Sequence, residues 1–315
     1  MDVPPENFAD RLARAVEEKR SCLVVGLDPV LERLPRDVLG VVGTGTSGGK
    51  GLTARAAAAF GLFLTKVVDT VSPVAVAVKP NTAFFERYGA AGWECLGEVC
   101  RHAQKAGLLV IADAKRGDIG HTAEAYADAL LGELPGTPGP HVDAVTVNPY
   151  LGTDSVAPYL EKVRRGGKGI FVLVRTSNPS ATDLQDLDAG GSPVYQQVAG
   201  LVAKWGEGLQ GVSGLAPVGA VVGATASSQA REIRETLPCA PFLVPGYGAQ
   251  GAGASELAPY FLPQGRGAVV NASRSILYAY EKRAGSWVEA VGNAAAEARE
   301  ELEEVRGQAL SGGGG

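Results

Sequence analysis

The sequence is poor in the residues that build metal centres and disulfide frameworks. Its 315 residues include only four cysteines and three histidines. The cysteines form no CxxC pair, and the histidines form neither an HxH nor an HExxH motif. These absences argue against a zinc-binding module and against a small disulfide-stapled fold.

An excess of basic charge is also absent. The chain has 29 Lys and Arg residues against 34 Asp and Glu residues, a formal net charge of −5 at pH 7. That balance argues against a broad nucleic-acid-binding surface, but not against a local phosphate pocket. The first 20 residues lack the apolar core of a signal peptide, and we expect no apolar stretch of the ~20 residues that a membrane span needs. We therefore expect a cytoplasmic protein that binds neither nucleic acid nor a membrane.

What is abundant is glycine, at 43 residues, and an apolar share of 45%. Such a composition excludes disorder over the whole length. Eight short apolar runs recur, each followed by a longer segment, most of them amphipathic. The runs are Ser21–Pro29, Val74–Asn81, Leu108–Lys115, Asp143–Tyr150, Gly169–Ser177, Val218–Thr225, Pro241–Tyr247 and Gly267–Ser273.

These runs are nearly continuous in Val, Ile, Leu and Ala, without polar alternation. That pattern predicts strands buried on both faces, as in a parallel sheet. Eight strand–helix units predict a single-domain α/β protein with the (β/α)8 TIM-barrel fold, with an open doubly wound sheet as the alternative.

The segments around the repeats predict the domain limits. Residues 1–20 would form a helix that closes the lower end of the barrel, and the barrel itself would span 21–283. A Gly-rich insertion at 35–52 is interpreted as a surface segment rather than a phosphate-binding loop, because no strand precedes its glycines. Residues 284–315 would form a C-terminal helix and a flexible Gly tail.

The densest charge cluster is DAKRGD, Asp113 to Asp118. Asp113 and Lys115 are two apart on a predicted strand, so their side chains project to one face. Lys79 ends the preceding strand, and active sites of such barrels assemble at the carboxyl ends of the strands. A structural ion-pair network is the alternative, but such networks are rarely more stable than apolar packing. We expect no Mg²⁺ here, because Lys115 would repel the cation.

A second cluster suits a phosphate group. PGYGAQG, Pro245–Gly251, begins at the end of the seventh run and has glycines whose backbone N–H groups could face an anion. NASRSI, Asn271–Ile276, begins at the end of the eighth run, and Arg274 could offer paired donors to phosphate oxygens. Barrels commonly hold phosphate at these two loops. The alternative is ordinary glycine turns beside a surface arginine.

The motifs VGLDP, VKPN, DAKRGDIGHT, VRTSNP, PGYGAQG and NASRSI occur in this order between Ser21 and about Tyr280. Their combination resembles the orotidine 5′-phosphate decarboxylase family, and the length and the DAKRGD form resemble its longer bacterial subgroup. DxKxxD alone is shared with sugar-phosphate members of the superfamily. The resemblance implies decarboxylation of orotidine 5′-phosphate to uridine 5′-phosphate (UMP), the last step of de novo UMP biosynthesis, without a cofactor or a metal.

The resemblance also implies a homodimer with active sites shared at the subunit interface, where Asp118 and Thr122 would reach the site of the partner. The implied catalytic residues are Lys115, Asp113, Asp118 and Lys79. The implied substrate-binding residues are Asp28, Asn81, Ile119, Thr122, Ser177, Gln250 and Arg274.

Individual roles follow from the same resemblance. Asp28 would hold ribose hydroxyls, and Ser177 would hydrogen-bond the amide edge of the pyrimidine. Gln250 and Arg274 would hold the phosphate, and Ile119 would line the pocket for the departing CO2.

We expect Lys115 to stabilise the carbanion at C6 and then to protonate it. Two other functions remain open at this point. One is a metal-dependent sugar-phosphate lyase or decarboxylase of the same superfamily, and the other is a non-catalytic protein that binds a nucleotide phosphate.

Overall fold

Eight parallel strands form a closed barrel. The computed structural model describes residues 5–42, 50–132, 139–248 and 253–311. Each strand pairs with the next, and β8 pairs back onto β1, where Val24 lies opposite Asn271. This closure confirms the predicted (β/α)8 barrel and excludes the open sheet. The strands are β1 (Leu23–Leu27), β2 (Ala77–Pro80), β3 (Leu109–Arg116), β4 (Ala144–Val147), β5 (Gly169–Arg175), β6 (Val218–Val222), β7 (Phe242–Pro245) and β8 (Ala268–Ala272).

Helices surround the barrel and cover the outer faces of its strands, so the strands are buried on both sides. The α-helices of the described residues are α1 (Phe8–Lys19), α2 (Arg36–Val42), α3 (Lys50–Val71), α4 (Ala83–Glu86), α5 (Gly89–Lys105), α6 (Gly120–Leu131), α7 (Thr153–Gly166), α8 (Thr182–Gln185), α9 (Val194–Gly206), α10 (Ser227–Thr236), α11 (Arg274–Leu277) and α12 (Trp287–Ser311).

Helix α1 packs against the amino-terminal end of the barrel interior. Its apolar side chains Phe8, Leu12 and Val16 are buried in one cluster with inward-facing strand residues. The Phe8 ring meets the Phe171 ring edge to face at 6.0 Å, and Gly169 leaves the space for it, since a Cβ there would lie 2.2 Å from the Phe8 ring. With this end filled by apolar side chains, the open, polar end of the barrel is the carboxyl-terminal one.

Helix α3 contradicts one expectation drawn from the sequence. Its segment Gly51–Val71 has 21 residues with a mean hydropathy of 1.3, so by length and composition it could cross a membrane. Its side chains Phe60, Phe63 and Leu64 are fully buried in the core between helices and barrel. The apolar side chains of this helix therefore pack in the helical layer. The sequence did not suggest a membrane span here because charged residues interrupt the apolar segment.

The predicted insertion at 35–52 is only partly visible. Helix α2 occupies its first part, and α3 begins at Lys50, inside the predicted insertion. Residues 43–49 and the tail 312–315 lie outside the described residues. Helix α12 occupies most of the predicted C-terminal segment, and its side chains Leu302 and Val305 are buried in the core.

Candidate active site

A carboxylate between two ammonium groups lies at the carboxyl ends of β2 and β3. The Nζ atom of Lys79 is 2.6 Å from Oδ2 of Asp113, and the Nζ atom of Lys115 contacts Oδ1 of the same carboxylate. The side chains of Lys79 and Asp113 are only 5% and 10% exposed, whereas that of Lys115 is 47% exposed and faces the barrel mouth. The structure thus brings together three of the four charged residues singled out in the sequence.

The electrostatics of the buried Lys79–Asp113 pair keep both groups charged at neutral pH. Burial alone would lower the pKa of Lys79, but the carboxylates of Asp113 and Asp28 outweigh burial, and the net effect is a raised pKa. Burial alone would raise the pKa of Asp113, but the ammonium groups of Lys79 and Lys115 hold it well below its ordinary value. The pair therefore places two fixed charges of opposite sign at the barrel mouth.

The backbone of β3 is irregular at Lys115, whose side chain contacts Asp113. The register of β3 against β4 shifts between Ala112 and Arg116, and Lys115 has a φ of +47°, in the left-handed region. Such a conformation in a residue other than glycine costs roughly 1–3 kcal/mol and is concentrated at functional sites. The sequence predicted an unbroken strand, because nothing in the local pattern marks a bulge.

Thr146 is a site residue that the sequence analysis missed. Its hydroxyl donates to Oδ1 of Asp113 at 3.1 Å and accepts from the backbone N–H of Lys115 at 3.0 Å. It thereby ties β4 to both the carboxylate and the bulge. The available signal was a hydroxyl side chain inside the otherwise apolar run of β4 (Ala144–Val147).

Asp28 and Asn81 lie beside the array in different ways. The Oδ1 atom of Asp28 is buried and has no hydrogen-bond partner among the described residues, and the charge of Asp28 raises the pKa of Lys79. Asn81 forms an isolated β-bridge with Asp113, while its side chain accepts from the backbone N–H of Ala83 at 3.2 Å. Asp28 therefore has an acceptor available for a ligand, whereas the side-chain oxygen of Asn81 is engaged at the start of α4.

Asp118, Ile119 and Thr122 lie on the rim after β3. The Asp118 carboxylate accepts from the backbone N–H of Ile119 at 2.8 Å, and within the described residues of one chain it forms no ion pair with Lys79 or Lys115. The side chain of Ile119 is 54% exposed, and Thr122 is exposed in the first turn of α6. A single chain therefore leaves the fourth charged residue apart from the other three.

The remaining predicted substrate-binding residues follow β5, β7 and β8. Ser177 packs closely on Gly223, where an added Cβ would lie 2.7 Å from the Cβ of Ser177. Arg274 is the first residue of α11 and is exposed. Gln250 lies outside the described residues.

Gln185 is a second residue that the sequence analysis missed. Its Oε1 atom accepts from the backbone N–H of Thr176 at 2.9 Å, and its Nε2 donates to the Thr176 hydroxyl at 2.7 Å. A salt bridge of 3.0 Å between Arg175 and Asp186 joins the same two segments. Together these contacts fix the end of β5 just before Ser177.

A closed barrel with a Lys–Asp–Lys array at its carboxyl-terminal mouth, built on the buried Lys79–Asp113 pair, defines a (β/α)8 protein with a preorganised ionic site. The family model described as orotidine 5′-phosphate decarboxylase / HUMPS family matches residues 23–286, most of the chain. The chain belongs to this family, which confirms the resemblance seen in the motifs.

Relatives match along nearly the whole length. The orotidine 5′-phosphate decarboxylase of Rhodopirellula baltica is 44% identical over 303 residues, covering 94% of this chain and 98% of the relative. That of Caldicellulosiruptor bescii is 39% identical over 280 residues, covering 87% and 90%. Among solved structures, Leishmania donovani OMP decarboxylase superposes with a TM-score of 0.73 at 33% identity, covering 95% and 99%.

Proposed function

We propose that this chain is an orotidine 5′-phosphate decarboxylase, which releases CO2 from its substrate to form UMP. The observation that carries the proposal is the Lys79–Asp113–Lys115 array at the barrel mouth, in a chain whose near full-length relatives bear that name. A protein that only bound a nucleotide phosphate would not need three buried or half-buried charges in addition to its phosphate contacts.

The chemistry explains why such an array is useful. When the bond between C6 and the carboxylate breaks, its electron pair stays on C6 as a carbanion in the ring plane, and no adjacent carbonyl delocalises it. Enzymes lower barriers by roughly 8–23 kcal/mol, and this reaction needs the upper part of that range. Fixed positive charge aimed at the developing carbanion is the largest contribution that side chains can supply.

We assign the proton donor to Lys115. Its ammonium is the more exposed of the two lysines that contact Asp113, whereas Lys79 is enclosed and its pKa is raised. Lys115 would donate a proton to C6 after CO2 leaves, and the pair of electrons from the broken bond forms the new C–H bond. Asp113 would hold the ammonium in place and, with Asp118 of the partner subunit, crowd the substrate carboxylate.

The test is the fall in ultraviolet absorbance of orotidine 5′-phosphate when purified protein is added. Lys115→Ala is expected to abolish turnover and to leave folding and assembly unchanged, as measured by circular dichroism and light scattering. Turnover near the wild-type rate in this variant would defeat the donor assignment. Activity that is lost on adding a chelator would favour the metal-dependent sugar-phosphate alternative.

A homodimer would complete the site. Ile119, Tyr150 and Leu151 follow the adjacent strands β3 and β4 at the carboxyl-terminal end, and their side chains are 54%, 74% and 50% exposed. Exposed apolar side chains at the rim suit an interface, and Asp118 on the same rim makes no ion pair within the described part of its own chain.

Mixing two inactive variants tests this sharing. Lys115→Ala and Asp118→Ala, refolded together in equal amounts, would give mixed dimers with one intact site each. Random pairing makes about half of the dimers mixed, so the mixture should recover about a quarter of wild-type activity. No recovery on mixing would contradict a shared site, provided that both variants assemble.

We also propose that Arg274 and Gln250 hold the phosphate. Binding energy from this remote group can be used to position the ring and to close loops. Arg274→Ala is therefore expected to reduce kcat/KM far more for the nucleotide than for the phosphate-free nucleoside. Equal losses for both would remove the role of Arg274 in phosphate binding.

The proposed setting is the cytoplasm, with the last step of de novo UMP biosynthesis as the reaction. The net charge of −5 and the name shared by the relatives support a small-molecule substrate rather than a nucleic acid or membrane partner.

A further inference from the structure

A buried tyrosine holds the turn that carries Asp28. Tyr278 directly follows α11 and is 3% exposed. Its hydroxyl donates to the carbonyl oxygen of Asp28 at 2.9 Å and accepts from the backbone N–H of Val30 at 2.8 Å. One hydroxyl group therefore bridges two backbone groups of the turn after β1.

The ring of Tyr278 has little freedom to move. The Arg33 guanidinium lies 3.6 Å from the ring centroid, and the Phe63 ring stacks on it at 6.5 Å with an interplanar angle of 11°. Burial raises the pKa of Tyr278 to about 12, so the hydroxyl keeps its proton at neutral pH. The two hydrogen bonds to the turn are therefore rigid features of the folded chain.

The turn held in this way presents an unsatisfied carboxylate oxygen. The Oδ1 atom of Asp28 is buried without a hydrogen-bond partner among the described residues. Its charge acts on Lys79, which places it beside the array. A buried acceptor without a donor is costly unless a ligand supplies the donor.

A second contact joins the same two segments. Gly26 in β1 lies so close to Ser273 that an added Cβ would be 1.8 Å from the Ser273 Oγ. Ser273 precedes Arg274, and the backbone N–H of Tyr278 donates to the Arg274 carbonyl at 3.3 Å. The end of β1 and the segment around Arg274 therefore pack as one unit, linked at Gly26 and at Tyr278.

We infer that Tyr278 is a positioning residue that orients the Asp28 carboxylate toward a ribose hydroxyl of the bound nucleotide. The inference rests on the proposed decarboxylase function. It adds a connection between the segment that carries Arg274 and the turn that would recognise the sugar.

Tyr278→Phe tests the inference, because it keeps the ring and removes only the hydroxyl. The wild type is expected to prefer orotidine 5′-phosphate over analogues that lack the 2′- or 3′-hydroxyl. In Tyr278→Phe, kcat/KM for the ribonucleotide is expected to fall about tenfold, which corresponds to about 1.4 kcal/mol, with a smaller fall for at least one analogue. The preference for the ribonucleotide should therefore shrink.

Tyr280→Phe is the matched control. The Tyr280 hydroxyl donates to the Arg33 carbonyl at 2.5 Å, and its ring meets that of Tyr278 in the same cluster, but it has no hydrogen bond to the Asp28 turn. This variant should keep the wild-type preference. In an Asp28→Asn background, Tyr278→Phe should have little further effect on the preference.

The preference is a ratio of two kcat/KM values measured on one preparation, so it does not depend on the fraction of the variant that is folded. Equal losses for ribonucleotide and analogues, an unchanged preference, or a wild type without any preference would each overturn the inference. A wild type that does not decarboxylate orotidine 5′-phosphate would overturn the proposed function instead, and the two failures are therefore distinguishable.

Discussion

The buried pair of Lys79 and Asp113 leads to a quantitative prediction for Asp113→Asn. Asparagine keeps the size of the side chain and can still accept hydrogen bonds, but the enclosed Lys79 ammonium loses its nearest counter-charge, 2.6 Å away. Removing one partner of a buried ion pair costs roughly 3–5 kcal/mol. Because Asp28 supplies a second carboxylate near Lys79, we expect the lower end, about 3 kcal/mol, and a fall in Tm of about 5 °C.

The difference in Tm between the wild type and Asp113→Asn should depend on pH. The pKa of Asp113 is depressed below its ordinary value of 3.8, so its ionisation adds stability that is present above that value and is lost as the pH falls toward the native pKa. The pKa of Lys79 is raised above 10.5, so its contribution is lost only in the alkaline range. The gap in Tm should therefore be complete near pH 6–7 and narrow below about pH 4.

Thermal unfolding followed by circular dichroism at pH 7, 5 and 3 measures this gap. Glu161→Gln is the control, because it removes an exposed pair with Arg165 on α7 and should change Tm by about 1 °C or less. An Asp113→Asn variant with the wild-type Tm at pH 7, or a gap that stays constant down to pH 3, would refute the reasoning.

Two further predictions concern the ends of β1 and β5. Gly26→Ala should lower stability by about 2 kcal/mol and reduce kcat/KM, because its Cβ would lie 1.8 Å from the Ser273 Oγ; wild-type unfolding and kinetics would contradict this. Gln185→Ala should raise KM about three- to tenfold with a smaller change in kcat, because two hydrogen bonds to Thr176 are lost. Gln197→Ala is its control, because the Gln197 amide bonds Ala189 and Ser192, between α8 and α9, rather than Thr176. Equal effects of the two substitutions would contradict the prediction.

The sequence predicted the strands well because their apolar runs are local patterns. The run Gly169–Ser177 contains β5 (Gly169–Arg175), and the run Val74–Asn81 contains β2 (Ala77–Pro80). Helix α3 begins at Lys50, inside the segment predicted as a surface insertion. The sequence pattern did not reveal this start, because Gly51 and Thr53 have low helix propensity. The charged residues of the array were also predictable, since ionisable groups after apolar strands are conspicuous.

The sequence by itself determined the number and order of the strand–helix units and the charges at their ends, because residue type and spacing along a strand are local properties. Only the tertiary structure decided how those charges meet. The bulge at Lys115 depends on a hydroxyl from the next strand, and Tyr278 holds Asp28 from 250 positions away. The first contact depends on the pairing of β3 with β4, and the second on closure of the barrel, which brings β8 beside β1. Neither pairing has a counterpart in any local pattern of residues.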